Sequence, residues 1–315
     1  MKKILQLSLF LIFLNACDDG NVAVETINFD DVTANSCGEI IYKLKDQEAL
    51  FMTIPSSLNA FANDETDSGS PKKIQITGSV SLKYRFYDGK VTADNICIIA
   101  GPITPVAVEE WVATSGTIEI TTTARYSNPD ATTGQRKIVK YNHYIVFKNI
   151  VFSKPDGTDI KYEAFVFGDY LTNATSLPFS FDPKLLASCS ENTKIYNARA
   201  NGIESLVIEN PDADLIQNSG TVTRPIGSTS NKLVYRLYDE SLPTSLVDYF
   251  CGTSIPTTPT VKEEWIATEG TIEIVNTTSG GFLHTIRLKN VTFKRGNSSF
   301  YYGDDILYGE LLLPN

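Results

Sequence analysis

The stretch Glu109-Glu-Trp-Val-Ala-Thr-Ser-Gly-Thr-Ile-Glu-Ile120 decides the fold, because the chain contains it twice. It returns at residues 263–274, where only Ile266 and Glu269 differ from the first version. Valine, isoleucine, threonine and tryptophan favour strands over helices, so both versions predict a β-strand. The repetition predicts that this strand occurs once in each of two related domains.

Three further tracts recur in the same order. They are Tyr84-Arg-Phe-Tyr-Asp88 with Tyr235-Arg-Leu-Tyr-Asp239, Phe147-Lys-Asn-Ile-Val-Phe152 with Leu288-Lys-Asn-Val-Thr-Phe293, and Phe165-Val-Phe-Gly168 with Ile306-Leu-Tyr-Gly309. A period of about 150 residues is too long for a solenoid unit and suits an independently folded domain. We therefore expect a tandem duplication with copy 1 at 27–172, a linker at 173–178 and copy 2 at 179–315.

The composition predicts an all-β fold. Val, Ile, Thr, Tyr and Phe recur in short runs separated by Gly, Asn, Asp and Pro, and no window of ten or more residues shows helical periodicity. Two tandem β-sandwich domains of immunoglobulin-like size are the preferred arrangement. Small lipocalin-like barrels are the alternative.

Hydrophobic alternation locates an irregularity in one strand of each copy. Apolar and polar residues alternate through 284–288, as a half-buried strand requires, and the apolar parity then slips at Val291. The same slip occurs at Ile150 in copy 1. We therefore expect β-bulges at 148–149 and 289–290.

The two copies differ in length at one place. Trp111 and Trp265 are 154 residues apart, whereas Asn149 and Asn290 are 141 apart, so copy 1 holds thirteen extra residues between these landmarks. The excess falls in the turn-rich segment 126–135. Loop tips tolerate such insertions and paired strands do not, so this segment is predicted to be a hairpin tip.

The amino terminus has the features of an export signal. Two lysines are followed by the mainly apolar run 4–14, and then by Asn15-Ala16-Cys17. Eleven residues at 1.5 Å rise are too short to cross a hydrocarbon layer of about 30 Å, so a permanent transmembrane helix is disfavoured. The tract Leu14-Asn-Ala-Cys17 resembles the lipobox of bacterial lipoproteins. That resemblance implies a signal peptide at 1–16 and a mature chain anchored in the lipid bilayer through palmitate-type acyl chains on Cys17.

Residues 17–26 would then form an acidic tether after the lipidated cysteine. In known lipoproteins, acidic residues at the positions of Asp18 and Asp19 accompany either retention in the inner membrane or export to the cell surface. The preferred interpretation is an outer-membrane lipoprotein exposed at the cell surface, and the periplasmic face is the alternative. Two or more acyl chains suffice for stable anchoring.

Four cysteines remain after Cys17, and four cysteines allow three connectivities. Cys37 and Cys189 occupy equivalent places near the start of each copy, while Cys97 and Cys251 each follow the Tyr-x-x-Tyr-Asp tract. The duplication therefore favours disulfides 37–97 and 189–251, both within one domain. Disulfides agree with an oxidising compartment, and the spacings fit no zinc module. No metal site or cofactor is predicted.

His143 and His284, the only histidines, occupy equivalent positions in the two copies. Each is a candidate metal ligand or general base. The preferred interpretation is structural, with the ring at one end of an inward-facing row of side chains and one ring nitrogen bonded to a carbonyl, because no co-ligands are identifiable.

The Glu-Glu-Trp tracts do not predict a pair of catalytic carboxylates. Neighbouring residues of a strand point to opposite faces, so Glu109 and Glu110 cannot converge on one substrate atom. Trp111 is expected in the core. Tyr301 and Tyr302 are the candidate ligand contacts, because one of two adjacent strand residues must face outward.

The net charge of the chain disfavours one class of partner. The formal net charge is −10, and removal of the signal peptide with its two lysines makes it −12, which disfavours nucleic acid as a partner. We expect a lipid-anchored, non-enzymatic binding or structural module of the cell envelope. A surface lipoprotein that captures a carbohydrate or a peptide, with a glycan or an envelope protein as its partner, is the alternative. An envelope enzyme is less favoured because no catalytic constellation is recognisable.

Overall fold

The computed structural model describes residues 26–98, 100–252, 256–277 and 282–313. Within these ranges the chain forms two curled antiparallel sheets of eight strands each, which confirms the predicted all-β fold with two domains. No helix in the described part of the chain is long and apolar enough to cross a membrane. The predicted signal peptide 1–16, the lipidation site Cys17 and most of the tether 17–26 lie outside the described residues.

Copy 1 has eight strands and one short helix. They are β1 (Asn35–Cys37), β2 (Ile40–Lys45), β3 (Glu48–Thr53), β4 (Lys72–Gln75), β5 (Ser81–Tyr87), α1 (Asp94–Cys97), β6 (Ala107–Tyr126), β7 (Ile138–Ser153) and β8 (Asp159–Asn173). The sheet order is β1-β2-β3-β5-β6-β7-β8, and β4 pairs with the far half of β6. The strands β1 and β8 therefore form the two ends of the sheet.

Copy 2 repeats this topology strand for strand. Its elements are β9 (Leu186–Ser188), β10 (Lys194–Ala198), β11 (Glu204–Glu209), β12 (Gly220–Pro225), β13 (Lys232–Tyr238), α2 (Leu246–Cys251), β14 (Val261–Thr277), β15 (Phe282–Arg295) and β16 (Ser298–Leu313). The order runs from β9 through β10, β11, β13, β14 and β15 to β16, with β12 on β14. Short 3-10 turns occur at Ser56–Leu58, Pro183–Leu185 and Ser190–Asn192.

The predicted bulges are present and lie where the long strands bend. The pairing of β6 with β7 shifts between Ser115 and Thr117, and Asn149 adopts a φ of +51°. The partner strand has Gly116 at a φ of +131°, a conformation that side chains rarely adopt. A Cβ at Gly116 would also collide with Ile150. Glycine at this bend is therefore required sterically.

Each curled sheet encloses its own hydrophobic core, which is formed by its inward-facing residues. In copy 1, Trp111, Phe147 and Phe152 are completely buried, and in copy 2 Trp265 is 2% exposed. His143 lies in the inward row, as predicted, but the row begins at the buried Tyr141 and passes across the bulge. The tryptophans are thus core residues.

Both disulfides join the cysteines that the repeat pairs. Cys37 is bonded to Cys97 and Cys189 to Cys251, with Cα atoms 5.8 and 5.4 Å apart. Each bond fastens α1 or α2 over the outer face of its sheet, where a second, smaller apolar cluster lies. Both bonds are within one copy, as predicted.

The loop between β6 and β7, residues 127–137, contains most of the predicted hairpin tip at 126–135 and contacts copy 2. The amide of Arg136 donates to the Tyr301 carbonyl at 2.9 Å, and the amide of Asp304 donates to the Thr133 carbonyl at 2.8 Å. Ile138, just after the tip, packs against the core of copy 2. The insertion in copy 1 is therefore a docking element between the copies.

Candidate functional site

His143 is enclosed by hydroxyl groups at one end of the copy 1 core. Its Nδ1 lies 2.8 Å from the Thr122 hydroxyl, and its Nε2 lies 2.9 Å from the Thr172 hydroxyl. Burial lowers the pKa of His143 to about 4, so the ring is neutral at pH 7. The inward position was predicted, but the partners are threonine hydroxyls rather than a carbonyl.

His284 has a different environment although its backbone position is equivalent. Its Nδ1 lies 2.6 Å from Oδ1 of Asn276, which replaces Thr122. Leu313 stands where copy 1 has Thr172, and within the described residues His284 Nε2 is buried without a partner. Burial lowers the pKa of His284 as well. The described ranges contain no group of three or more histidine, cysteine, aspartate or glutamate side chains placed to hold a metal ion.

The glutamates of the repeated tract diverge, as predicted. Trp111 Nε1 donates to Glu109 Oε1 at 2.6 Å on the inner face, whereas Glu110 on the outer face pairs with Lys83 and Arg85. Each carboxylate therefore has its own structural partners.

Copy 2 keeps this arrangement. Trp265 Nε1 donates to Glu263 Oε2 at 2.9 Å, Arg295 also contacts Glu263, and Glu264 pairs with Arg236 at 2.7 Å.

The candidate ligand contacts Tyr301 and Tyr302 lie beside the junction of the copies. Tyr302 is buried, with its ring 4.8 Å from that of Phe179. Tyr301 is partly exposed, and its hydroxyl donates to Oδ1 of Asp304 at 2.5 Å. Only Tyr301 of the pair faces outward, and its backbone carbonyl already holds the hairpin tip of copy 1.

Sequence reasoning missed a groove in copy 1 of about 550 Å³, which lies between the two ends of the sheet. One wall is the segment 30–34 that precedes β1, and the other is formed by β7 and β8. The lining residues are Asp30, Asp31, Val32, Thr33, Ala34, Lys43, Tyr144, Val166, Phe167, Gly168, Asp169 and Leu171. We call this the copy 1 groove.

Lys43 lies in the lining of the groove and is only 3% exposed. Its Nζ donates to the Phe29 carbonyl at 2.9 Å and lies 5.2 Å from the centre of the Phe167 ring. Burial lowers the pKa of Lys43, and the carboxylates of Asp30 and Asp169 oppose that shift. Lysine is rarely buried without such partners, so the ammonium group is held in place by its surroundings.

The rim of the groove combines carboxylates with exposed apolar side chains. Asp169 accepts a hydrogen bond from Asn142 Nδ2 at 2.7 Å, which fixes the carboxylate at the groove edge. Tyr144, Val166 and Leu171 are 42%, 44% and 51% exposed. Exposed apolar residues that cluster beside polar groups are characteristic of a binding surface.

The corresponding place in copy 2 is closed by the chain itself. Asn197 occupies the register position of Lys43, and its Nδ2 donates to the carbonyls of Asp182 and Tyr308 at 2.9 and 3.0 Å. A Cβ on Gly309 would lie 2.9 Å from Leu186 Cβ, so the backbones are in close contact.

In copy 1, the equivalent Gly168 has more space. A Cβ there would meet only Lys43 Nζ, at 3.5 Å. The sequence signal for the groove was the difference between lysine and asparagine within otherwise matching strands.

Comparison with protein-family models, with curated proteins and with solved structures finds no match.

Proposed function

We propose that this chain is a lipid-anchored, non-enzymatic binding protein of the cell envelope, and that the copy 1 groove is its ligand site. The observation that carries the proposal is the contrast between the copies. One topology occurs twice, and the backbones of the sheet ends meet at Gly309 in copy 2. In copy 1 the Tyr170 hydroxyl of β8 donates to Ser36 Oγ of β1 at 3.0 Å, but the backbones stay apart at Gly168, and the groove lies there. A ligand of suitable shape would occupy the place that the chain fills in copy 2.

The composition of the groove supports binding. Ligand sites are concave and mainly apolar, with a few fixed polar groups that orient the ligand. The groove has an apolar wall, an ammonium group fixed by the Phe29 carbonyl and a carboxylate fixed by Asn142. These groups are in place before any ligand arrives, so binding costs little ordering of the protein.

The position of the groove supports a role close to a membrane. Lipidation at Cys17 would leave nine residues up to Thr26, the first described residue. At about 3.5 Å per extended residue, this tether spans at most about 30 Å. The groove wall at 30–34 follows immediately, so the ligand would be held near the bilayer. We propose the surface of the outer membrane as this location, with a glycan or an envelope protein as the partner.

The experiment is a ligand screen with a matched variant. Purified mature protein is applied to a glycan array and to a peptide array, in parallel with Ala34→Leu. Because Leu186 stands at this position in copy 2, leucine at 34 should narrow the groove without changing the topology. We expect wild type to bind a ligand class that the variant does not bind. If every ligand of the wild type also binds the variant equally well, the groove is not the site.

A further inference from the structure

We infer that the copy 1 groove binds an extended basic peptide, which adds as a strand to the free edge of β8. This inference rests on the function proposed above and adds the ligand class and the binding mode.

The first support is the open edge. β8 is the last strand of its sheet, so within the described residues one of its edges has no strand neighbour. Five of the six residues 166–171 of β8 line the groove, all except Tyr170, and a segment of six residues is about 20 Å long. Unpaired backbone groups along an edge are a template for an added strand, and strand addition is a common mode of peptide recognition.

The second support is the segment of the chain that fills the corresponding place in copy 2. Residues 182–186 lie against the edge of β16 at Gly309, where the Pro183 carbonyl and the Leu186 side chain approach the glycine. The copy 2 counterpart of the groove is thus closed by polypeptide. The same edge in copy 1 is shaped to receive polypeptide from another molecule.

The third support is the charge around the groove. Asp30, Asp31 and Asp169 are exposed, whereas the single cation Lys43 is buried and directed at the Phe29 carbonyl. The carboxylates therefore outnumber the cation, and they stand where a ligand enters. Complementary charge favours a basic partner and raises its association rate.

The apolar wall of the groove indicates that the peptide also carries apolar side chains. Val166 and Leu171 flank Asp169 on the exposed face of β8. Side chains of an added strand continue the faces of its neighbour, because residues alternate between the two faces of a sheet. A peptide in which basic and apolar residues alternate would match the groove.

Isothermal titration calorimetry with synthetic peptides tests this mode on the unmodified protein. The probes are an acetylated and amidated hexapeptide of alternating Arg and Val, and the same peptide with Glu in place of Arg. Two further versions of the Arg–Val peptide carry N-methyl groups on the odd or on the even amides. Only alternate amides of a strand face its neighbour. We therefore expect saturable binding of the Arg–Val peptide, binding at least about tenfold weaker for the Glu–Val peptide, and loss of binding for only one of the two N-methylated peptides.

Variants then test the location. Asp30→Asn, Asp31→Asn and Asp169→Asn together should weaken Arg–Val binding about tenfold, whereas Ala34→Leu should abolish it. The matched control removes three exposed carboxylates outside the groove by Asp159→Asn, Glu163→Gln and Glu240→Gln, and it should bind like the wild type. Thermal unfolding of each variant shows that it is folded.

Three outcomes would overturn the inference: no saturable binding of the Arg–Val peptide, equal binding of both N-methylated peptides, or equal weakening by the control triple variant. The proposed function fails separately. If a glycan binds the wild type but not Ala34→Leu, while the Arg–Val peptide binds neither, the groove is a site for another ligand class. If no array ligand distinguishes the wild type from Ala34→Leu, the groove is not the ligand site, as stated for the proposed function.

Discussion

Lys43 of β2 and Asn197 of β10 occupy the same register position, but they connect different parts of their domains. Asn197 donates to two carbonyls, one on each side of the junction between the sheet ends. Lys43 donates to Phe29 on one side only, and its ammonium group lies between the two walls of the groove. The residue at this position, lysine or asparagine, therefore differs between the copy with a groove and the copy in which the same place is filled.

Placing the residue of one copy at this position in the other copy should change the stability of the two copies in opposite directions. Lys43→Asn combined with Ala34→Leu should stabilise copy 1 by about 1–2 kcal/mol, because it buries an apolar side chain and removes a desolvated charge. The reverse change, Asn197→Lys, should cost copy 2 at least about 3 kcal/mol, because it places a charge in a closed site. Urea unfolding measures both effects. A stability change of the same sign in both variants would contradict this explanation.

Local signals predicted most of the fold. The bulge near Asn149 and the inward row from His143 follow from hydrophobic parity along one strand, which is set by neighbouring residues. The disulfides follow from the duplication, because a pairing within each copy gives two independently folded domains the same internal bond.

The groove and the docking of the hairpin tip could not be predicted in the same way. The groove depends on the approach of residues 30–34 to residues 166–171 of β8, which are more than 130 positions away in the sequence. The loop at 127–137, which contains most of the predicted tip, has the composition of an ordinary exposed turn. Its role depends on the position of copy 2, on which a pattern within copy 1 carries no information.

Removal of the Cys37–Cys97 disulfide should strongly destabilise copy 1. The bond closes a loop with a sequence separation of 60 residues, so Cys37→Ala with Cys97→Ala should cost about 4 kcal/mol in the chain-entropy model. Chemical denaturation measures the loss, and the Cys189→Ala, Cys251→Ala variant is the counterpart for copy 2. Non-reducing peptide mapping should recover only the links 37–97 and 189–251. A peptide that links Cys37 to Cys189 would refute the pairing.

Cys17→Ser should abolish lipidation, because Cys17 alone among the five cysteines follows the apolar segment 4–14. Metabolic labelling with a fatty acid, followed by gel fluorography, should show label on the wild type and none on the variant. Cys97→Ala is the control for loss of a cysteine elsewhere and should keep the label. Persistence of label on Cys17→Ser would show that the lipobox assignment is wrong.

Asp64→Ala should loosen the contact between the copies. Oδ1 of Asp64 accepts from the amides of Asn297 and Ser298, both at 3.0 Å, and from the Ser298 hydroxyl at 2.9 Å. Hydrogen bonds to a charged acceptor are strong, so the variant should lose about 2–3 kcal/mol of interface stability. Amide hydrogen exchange at residues 296–298 should become at least about tenfold faster. Asp67→Ala in the same loop is the control, and equal acceleration in both variants would contradict a specific role for Asp64.

The pH dependence of stability should identify His143 as a buried neutral ring. Its pKa of about 4 in the folded state lies below the ordinary value of 6.5, so the unfolded chain binds more protons between these values. The contribution of His143 is therefore complete above pH 6.5 and is lost as the pH falls towards 4, by about 2–3 kcal/mol.

His143→Gln should be less stable than the wild type by about 1–2 kcal/mol at pH 7, because glutamine does not reproduce the ring and its two hydroxyl contacts. The variant has no proton to gain, so this difference should shrink to about zero near pH 5. Thr172→Val is the control, because it removes a partner of the ring but keeps the titrating group. Urea unfolding at several pH values between 4 and 7 gives the comparison. Parallel stability profiles for the wild type and His143→Gln would show that His143 is not the neutral buried group inferred from its surroundings.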